Sequence, residues 1–154
     1  MYKRQIQKHF PTWQGLVLAT VHQWQNLATG ALIQVARDEG ILIYMRRLVE
    51  DNLANPALAR LLLAVLSEAT DPSHPSAPYL QVRYEAYHQI VRGGIQHDIA
   101  VGRLPVTVDP VHGAELIVGI WEGLRMQHLL RPGMDMLAAF DRALGMIVRD
   151  WGVE

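Results

Sequence analysis

The chain has 154 residues and a formal net charge of −1, with half of its residues hydrophobic and 19% charged. This composition is too apolar for an intrinsically disordered chain, and the length suits one domain with a single core. The near-neutral charge argues against a general nucleic-acid binder, although the first ten residues are basic. There is no cysteine, which excludes disulfides, and no signal-peptide pattern, so we expect a cytoplasmic protein.

The first 40 residues predict one long helix behind a short, broken segment. Met1 to Gln5 resembles a leftover of cloning or sequence assembly, and Ile6 to Phe10 has the pattern of the end of a helix. Pro11 breaks that helix and Thr12 can cap the next one. From there apolar residues recur at helical spacing as far as about Arg37.

Five more helices are predicted after Gly40: Ile41–Leu53, Ala57–Ala69, Tyr79–Ala100, Val111–Leu130 and Met134–Trp151. Asn55-Pro56 and Asp109-Pro110 each have the N-cap and first-turn proline that start a helix. Residues 71–78 hold three prolines and predict a loop. The strand-like run 106–108 is too short to build a sheet. We therefore predict an all-α fold, a bundle of about six helices.

The segment Val111–Leu130 is the predicted centre of this bundle. Apolar residues occur on more than one of its faces, which is typical of a helix buried between neighbours. Gly119 and Gly123 lie one turn apart, and each glycine costs up to about 1 kcal/mol relative to alanine in a helix interior. Such positions suit a close approach by another backbone. That backbone belongs either to this chain or to a second subunit, and the sequence leaves both open.

Catalytic patterns are weak. Glu85 and His88 match the Glu-x-x-His spacing of carboxylate-bridged metal bundles, but the chain holds no second copy of the pattern. His97-Asp98 has no nucleophilic serine in a suitable context, and no glycine-rich phosphate loop is present. We expect no enzyme activity, no metal and no cofactor.

A set of aromatic, polar and sulfur-containing residues falls on predicted inner faces. Aromatic rings with polar atoms, together with methionine, suit an adaptable apolar pocket with a few hydrogen-bonding groups, although each member alone also suits ordinary core packing. The predicted ligand-binding set is Trp24, Tyr44, Met45, Tyr84, Tyr87, His88, Trp121 and Gln127. Such a lining predicts a small hydrophobic or aromatic effector, and for an anionic one Arg83, Arg92 or Arg125 as partner.

Four stretches, in this order and spacing, resemble the TetR/AcrR-type bacterial transcriptional regulators. They are HFPTWQGL from His9, NPALARLL from Asn55, Val106 to Asp109 before a long apolar helix, and LLRPGMDMLAAF from Leu129. The resemblance runs from about Ile6 to the end. Residues 1–11 would then be the remnant of a helix-turn-helix DNA-binding domain, 12–39 the long linking helix, and 40–154 the ligand-binding and dimerisation domain.

The resemblance also implies partners. The last two helices of the family pair with a second copy in a four-helix dimer interface, which here implicates Val118, Gly119, Glu122, Gly123, Met126, Leu137, Phe140 and Leu144. Lys8, His9 and Thr12 remain as DNA-backbone contacts. An intact helix-turn-helix is needed to read bases, so we expect specific DNA binding only from the full-length regulator, and none from these 154 residues alone.

Three functions therefore compete. The first is the effector-binding and dimerising part of a ligand-responsive repressor, truncated at its N-terminus. The second is a helical-bundle enzyme that uses Glu85 and His88 with a metal. The third is a structural bundle whose aromatic residues only fill the core. Charged residues within Val111–Leu130, such as Glu122, argue against a membrane span.

Overall fold

The computed structural model describes residues 13–153, apart from the side chains of residues 13, 14, 25, 28, 29 and 31. In this part of the chain there are six helices and no strand: α1 (Trp13–Asp38), α2 (Ile41–Ala54), α3 (Pro56–Glu68), α4 (Ala77–Ala100), α5 (Pro110–Leu130) and α6 (Met136–Asp150). The prediction of an all-α fold is confirmed for these residues. None of their helices is both long and apolar enough to cross a membrane.

Two of the helices begin at an N-cap residue whose side chain accepts backbone hydrogen bonds, and a third does not. The Asp109 side chain accepts hydrogen bonds from the backbone nitrogens of Val111 and His112, as the sequence predicts for an N-cap. Asn55 occupies the N-cap position of α3, but its side-chain nitrogen donates to the carbonyl oxygen of Asp51 at 2.9 Å. It therefore closes the end of α2, and the proline at the start of α3 supplies the break. Asp135 caps α6, which begins two residues later than predicted.

The main core lies between α2, α4, α5 and α6. Its completely buried side chains include Ile41, Tyr44, Ile95, Ile117 and Phe140. A smaller cluster joins α3 to the start of α4 through Val65, Ala69, Ala77 and Leu80, and residues of α1 pack against it. The long helix α1 thus packs mostly on the smaller cluster along its first half and on the main core near its end.

A polar clamp fixes the C-terminal end of α1. The Arg103 guanidinium donates to the carbonyl oxygens of Arg37 at 3.1 Å and Asp38 at 2.7 Å, and to the Asp98 carboxylate at 2.9 Å. The other Asp98 oxygen accepts from the backbone nitrogen of Ile41, the first residue of α2, at 2.7 Å. A cation at a helix C-terminus and an anion at a helix N-terminus both favour the helix dipoles. Asp98 is therefore structural.

Glycine is required at the turn that this clamp surrounds. Gly40 has a φ of +105°, which residues with a side chain rarely adopt, and a Cβ there would lie 3.0 Å from an Asp98 oxygen. A second close approach is at Gly94 of α4, where a Cβ would lie 2.4 Å from Cδ1 of Ile41. Glycine at position 94 therefore lets the Ile41 side chain of α2 pack directly on the backbone of α4.

The helix α5 is central, but it is buried on one side only. Ile117, Val118 and Trp121 are buried, as predicted. On the opposite side Leu116, Met126 and Leu130 are 47%, 50% and 76% exposed. Within the described residues, the neighbours of α5 therefore cover only its inner face.

Candidate cavity between the helices

A cavity of about 400 Å³ lies between α1, α2, α3, α4 and α5. Its size is within the range of pockets that bind small organic molecules. Its apolar lining consists of Gly30, Leu48, Leu62, Leu66, Leu80, Ala86 and Ile90. The first turns of α4 and the middle of α1 form its rim, where Asn26, Gly30 and Ala86 are exposed. The rim is crossed by a hydrogen bond from the Arg83 guanidinium to the Asn26 side-chain oxygen at 3.1 Å.

Part of the predicted ligand-binding set lines this cavity. Four aromatic rings from three different helices form part of its wall: Trp24, Tyr84, Tyr87 and Trp121. Burial raises the pKa of Tyr87 well above its ordinary value, and burial also raises the pKa of Tyr84. Both phenols are therefore neutral hydrogen-bonding groups at physiological pH. That these four rings lie around one cavity could not be inferred from the helical position of each residue taken alone.

The other members of the predicted set lie elsewhere. Tyr44 and Met45 are completely buried in the main core, one layer behind the cavity, where the Met45 sulfur accepts from the Tyr87 hydroxyl at 3.5 Å. The His88 ring packs against Tyr84 with 5.2 Å between ring centroids, outside the lining. Gln127 is exposed on α5. Helical period alone does not separate a pocket wall from the core layer behind it.

Polar lining residues were mostly missed by the sequence interpretation. The cavity is lined by Asn26, Asp51, Asn52, Arg83, Glu122 and Arg125. Of the three arginines considered for an anionic ligand, Arg83 and Arg125 line the cavity, and Arg92 does not. A usable signal was present for two residues: Asn52 continues the buried row of Met45, Leu48 and Val49, and Arg125 follows Trp121 by one turn.

A buried ion pair occupies the α5 wall. Arg125 is only 2% exposed, and its guanidinium pairs with the carboxylate of Glu122. The guanidinium carbon lies 5.6 Å from the centroid of the Trp121 ring, a cation–π arrangement. Burial raises the pKa of Glu122, and the positive charge of Arg125 opposes this rise. Glu122 was predicted at a dimer interface, whereas its place here is in the cavity wall.

Four lining residues have buried polar atoms without a hydrogen-bond partner among the described residues. These atoms are Trp24 Nε1, Asp51 Oδ2, Asn52 Oδ1 and Arg125 Nε. Buried polar atoms in proteins are nearly always paired, and an orphan costs about 1–3 kcal/mol. Their concentration around one cavity marks it as a place that a polar ligand or ordered water would complete.

The predicted dimer residues divide into two groups. Val118, Phe140 and Leu144 are buried in the core of the single chain and Leu137 packs against it, because these side chains point to the inner sides of α5 and α6. The three buried residues offer no surface to a second copy, which removes them from the predicted face. Gly119, Gly123 and Met126 are exposed. A Cβ at either glycine would meet no described atom within 4 Å.

The remaining predictions concern metal and DNA. Glu85 is exposed and accepts from Gln89 at 2.6 Å, and the described residues contain no group of three or more side chains able to hold a metal ion. The predicted DNA-contact residues Lys8, His9 and Thr12 lie outside the described part of the chain.

The comparisons with known proteins add no relative. The chain matches no family model, and neither the comparison with curated proteins nor that with solved structures gives a match. The cavity and the outer surface of α5 are therefore the features of the molecule that bear on its function.

Proposed function

We propose that this chain is the effector-binding and homodimerising part of a ligand-responsive transcriptional regulator of the TetR type. The observation that carries the proposal is the cavity of about 400 Å³, which is lined by four aromatic rings and closed on one side by α1. By the resemblance to TetR-type regulators, α1 would be the helix that links the effector domain to the DNA-binding domain. A ligand in this cavity would touch that helix directly.

The described contacts of α1 fit a helix that moves about one end. Its C-terminal end is held by the Arg103 clamp to Asp98. Its middle contacts α4 at the cavity rim through the Asn26–Arg83 hydrogen bond. One turn earlier, outside the cavity lining, the His22 and Tyr79 rings pack with centroids 6.1 Å apart. A ligand that prefers one position of α1 would shift the population towards it, by as much as its affinities for the two positions differ.

The second part of the proposal is a dimer through the outer face of α5. We define this face by Leu116, Gly119, Gly123, Met126 and Leu130, which follow one another at helical spacing. Exposed apolar side chains in a continuous row are typical of an interaction surface. The two glycines let a second helix backbone come close, since they present no side chain. The occupant that we propose is the same face of a second copy.

Light scattering on the wild type and on the Gly119→Arg, Gly123→Arg double variant tests the dimer. We expect a dimeric wild type and a monomeric variant with unchanged helix content, because two guanidinium groups would have to be buried in the contact. Gly93→Arg is the matched control: Gly93 is an exposed glycine of α4 with no described atom within 4 Å of its Cβ position. It should stay dimeric. A monomeric wild type would contradict the proposal.

Thermal stabilisation by small aromatic compounds tests the effector site separately. A compound that binds only the folded chain stabilises it by about 2.7 kcal/mol at 100 times its Kd. We expect Ala86→Trp, which places a large side chain at the cavity rim, to abolish this stabilisation. A chain that no compound stabilises would favour the structural-bundle alternative.

A further inference from the structure

We propose that the effector of this cavity is an organic cation, a compound with an apolar or aromatic body that carries one amine or quaternary ammonium group. The inference rests on the proposed function, in that it assigns a ligand class to the same cavity. It depends on three observations: the pairing of the charged lining residues, the aromatic rings beside them, and the position of the acceptor atoms without partners.

Among the described residues, two charged lining residues have no partner of opposite charge. They are Asp51, and Arg83 at the exposed rim of the cavity. Arg125 pairs with Glu122, and Arg83 donates to the Asn26 oxygen at 3.1 Å. Asp51 has one long contact, from the Asn55 side-chain nitrogen to Oδ1 at 3.4 Å, while its Oδ2 is buried with no donor in the described part of the chain. A partly buried carboxylate without a counter-charge favours a cation nearby.

The residue after Asp51 supplies a second hydrogen-bond acceptor without a donor in the described part of the chain. Asn52 is nine-tenths buried, and its side-chain oxygen has no donor among the described residues. Asp51 and Asn52 follow each other near the end of α2, and both line the cavity. A primary ammonium group has three donors and no acceptor, which matches these two oxygen atoms, whereas a quaternary ammonium group would meet them through its charge alone.

The aromatic lining suits the same ligand. Faces of tryptophan and tyrosine rings attract cations, and quaternary ammonium groups are typically bound by several such rings. Trp121 already receives the guanidinium of Arg125, 5.6 Å from its centroid. Trp24, Tyr84 and Tyr87 have no such partner among the described residues. The two unpaired donors, Trp24 Nε1 and Arg125 Nε, can donate to an oxygen atom of the ligand body.

An anionic ligand is disfavoured by the same contacts. To reach the guanidinium of Arg125 it would have to displace Glu122, whose side chain is only 23% exposed. Breaking a buried pair leaves an uncompensated charge and is strongly unfavourable. The displaced carboxylate, Asp51 and the ligand would then place three negative charges against the two guanidinium groups of Arg83 and Arg125. Arg83 lies at the exposed rim, where solvent screens its charge. A cation meets Asp51 and leaves the Glu122–Arg125 pair intact.

Calorimetric titration with three probes that share a phenyl body tests the charge. Benzyltrimethylammonium is the cation, neopentylbenzene has the same shape without charge, and phenylmethanesulfonate is the anion. We expect the cation to bind at least about tenfold more tightly than the neutral probe, a difference in the range of a desolvated cation–π contact. We expect no measurable binding of the anion. This comparison uses the wild-type protein alone.

Asp51→Asn identifies the residue, because it removes the charge and keeps the shape. We expect it to weaken binding of the cation about tenfold and to leave the neutral probe unchanged, a loss of the size that removal of a charged partner causes. The matched control is Asp150→Asn, which makes the same change of net charge at an exposed position at the end of α6. It should bind all three probes as the wild type does.

The outcomes separate this inference from the proposed function. If the neutral or the anionic probe binds as tightly as the cation, and Ala86→Trp abolishes that binding, the cavity stands as an effector site and the cation is overturned. The proposal of a cationic ligand is also overturned if Asp51→Asn and Asp150→Asn weaken the binding of benzyltrimethylammonium equally. If none of the probes binds, the cation is overturned, and the proposed function is then decided by the broader search for stabilising compounds.

Discussion

The two faces of α5 carry similar residues in opposite surroundings. Ile117 and Trp121 on the inner face are buried, whereas Leu116 and Met126 on the outer face are about half exposed. Both faces are apolar, so the amphipathic rule that separates inside from outside does not apply within this helix. The difference teaches that an apolar pattern does not tell which face of a helix is covered, since the described residues cover only the inner face of α5.

The glycines repeat this contrast in a sharper form. Gly94 of α4 and Gly119 of α5 both stand in helix interiors, where glycine is unfavourable. A Cβ at Gly94 would lie 2.4 Å from Ile41 Cδ1, whereas a Cβ at Gly119 would meet no described atom within 4 Å. One glycine makes room for a neighbour in the same chain. The other leaves room that the described residues do not fill.

The largest difference in unfolding free energy is expected between alanine substitutions at two adjacent residues of α5. Ile117→Ala removes a completely buried side chain from the core, and we expect the free energy of unfolding to fall by about 2–5 kcal/mol. Leu116→Ala acts on the exposed side, and we expect a change within about 0.5 kcal/mol for the monomer. Urea unfolding at low protein concentration measures both. Equal losses would mean that the two faces are buried alike.

The buried ion pair on the inner face gives the second effect. Arg125→Met leaves the Glu122 carboxylate without its cation, and we expect a loss of about 3 kcal/mol, at the lower end for a buried pair because solvent reaches part of Glu122. The double variant Arg125→Met, Glu122→Gln removes both charges. It should be more stable than Arg125→Met alone. Additive losses in this cycle would show that the two residues are not coupled.

The fold was predictable where local chemistry decides it. Pro110 behind Asp109, the prolines of residues 71–78 and the break at Gly40 all mark boundaries that the structure places within a few residues. These boundaries depend on neighbours within one or two turns, which a sequence contains directly. Tyr44 and Phe140 are buried, but in the core of the single chain and not in the pocket wall or the dimer contact that were predicted for them.

The site was less predictable because it depends on distances between helices. Tyr44 and Tyr87 are both tyrosines on helices of similar hydrophobicity. Tyr44 fills the core, whereas Tyr87 lines the cavity. The same limit applies to Asp51 and Glu122, since a polar residue at the edge of an apolar row predicts solvent unless a cavity is known to be there. Which helices leave a gap between them is set by packing across the whole bundle.

The glycine contrast gives the third prediction. Gly94→Ala forces a methyl group onto the Ile41 side chain, and we expect a loss of about 1–3 kcal/mol of unfolding free energy from overpacking. Gly119→Ala meets open space and should stabilise the monomer by up to about 1 kcal/mol through helix propensity. Thermal unfolding of the two variants side by side measures the difference. Two losses of similar size would mean that Gly119 is also packed.

The smallest effect is a pH dependence at the inner face. Because burial raises the pKa of Glu122, the folded chain holds that proton more strongly than the unfolded chain does. Its contribution to stability is then fully present below the ordinary carboxyl pKa and is lost as the pH rises through the raised value. Arg125 limits the loss, since its charge favours the carboxylate. The wild type should therefore lose stability across this window relative to Glu122→Gln.

Glu115→Gln separates this local effect from the titration of the whole chain. Glu115 is an exposed carboxylate on the same helix, two turns before Glu122, and the substitution is identical. Its unfolding free energy should follow the wild-type pH profile, while that of Glu122→Gln should be flatter within the window. If both variants have the same profile, solvent reaches Glu122 freely. The cavity wall would then resemble the exposed outer face of α5, and the contrast between the two faces would be lost at this position.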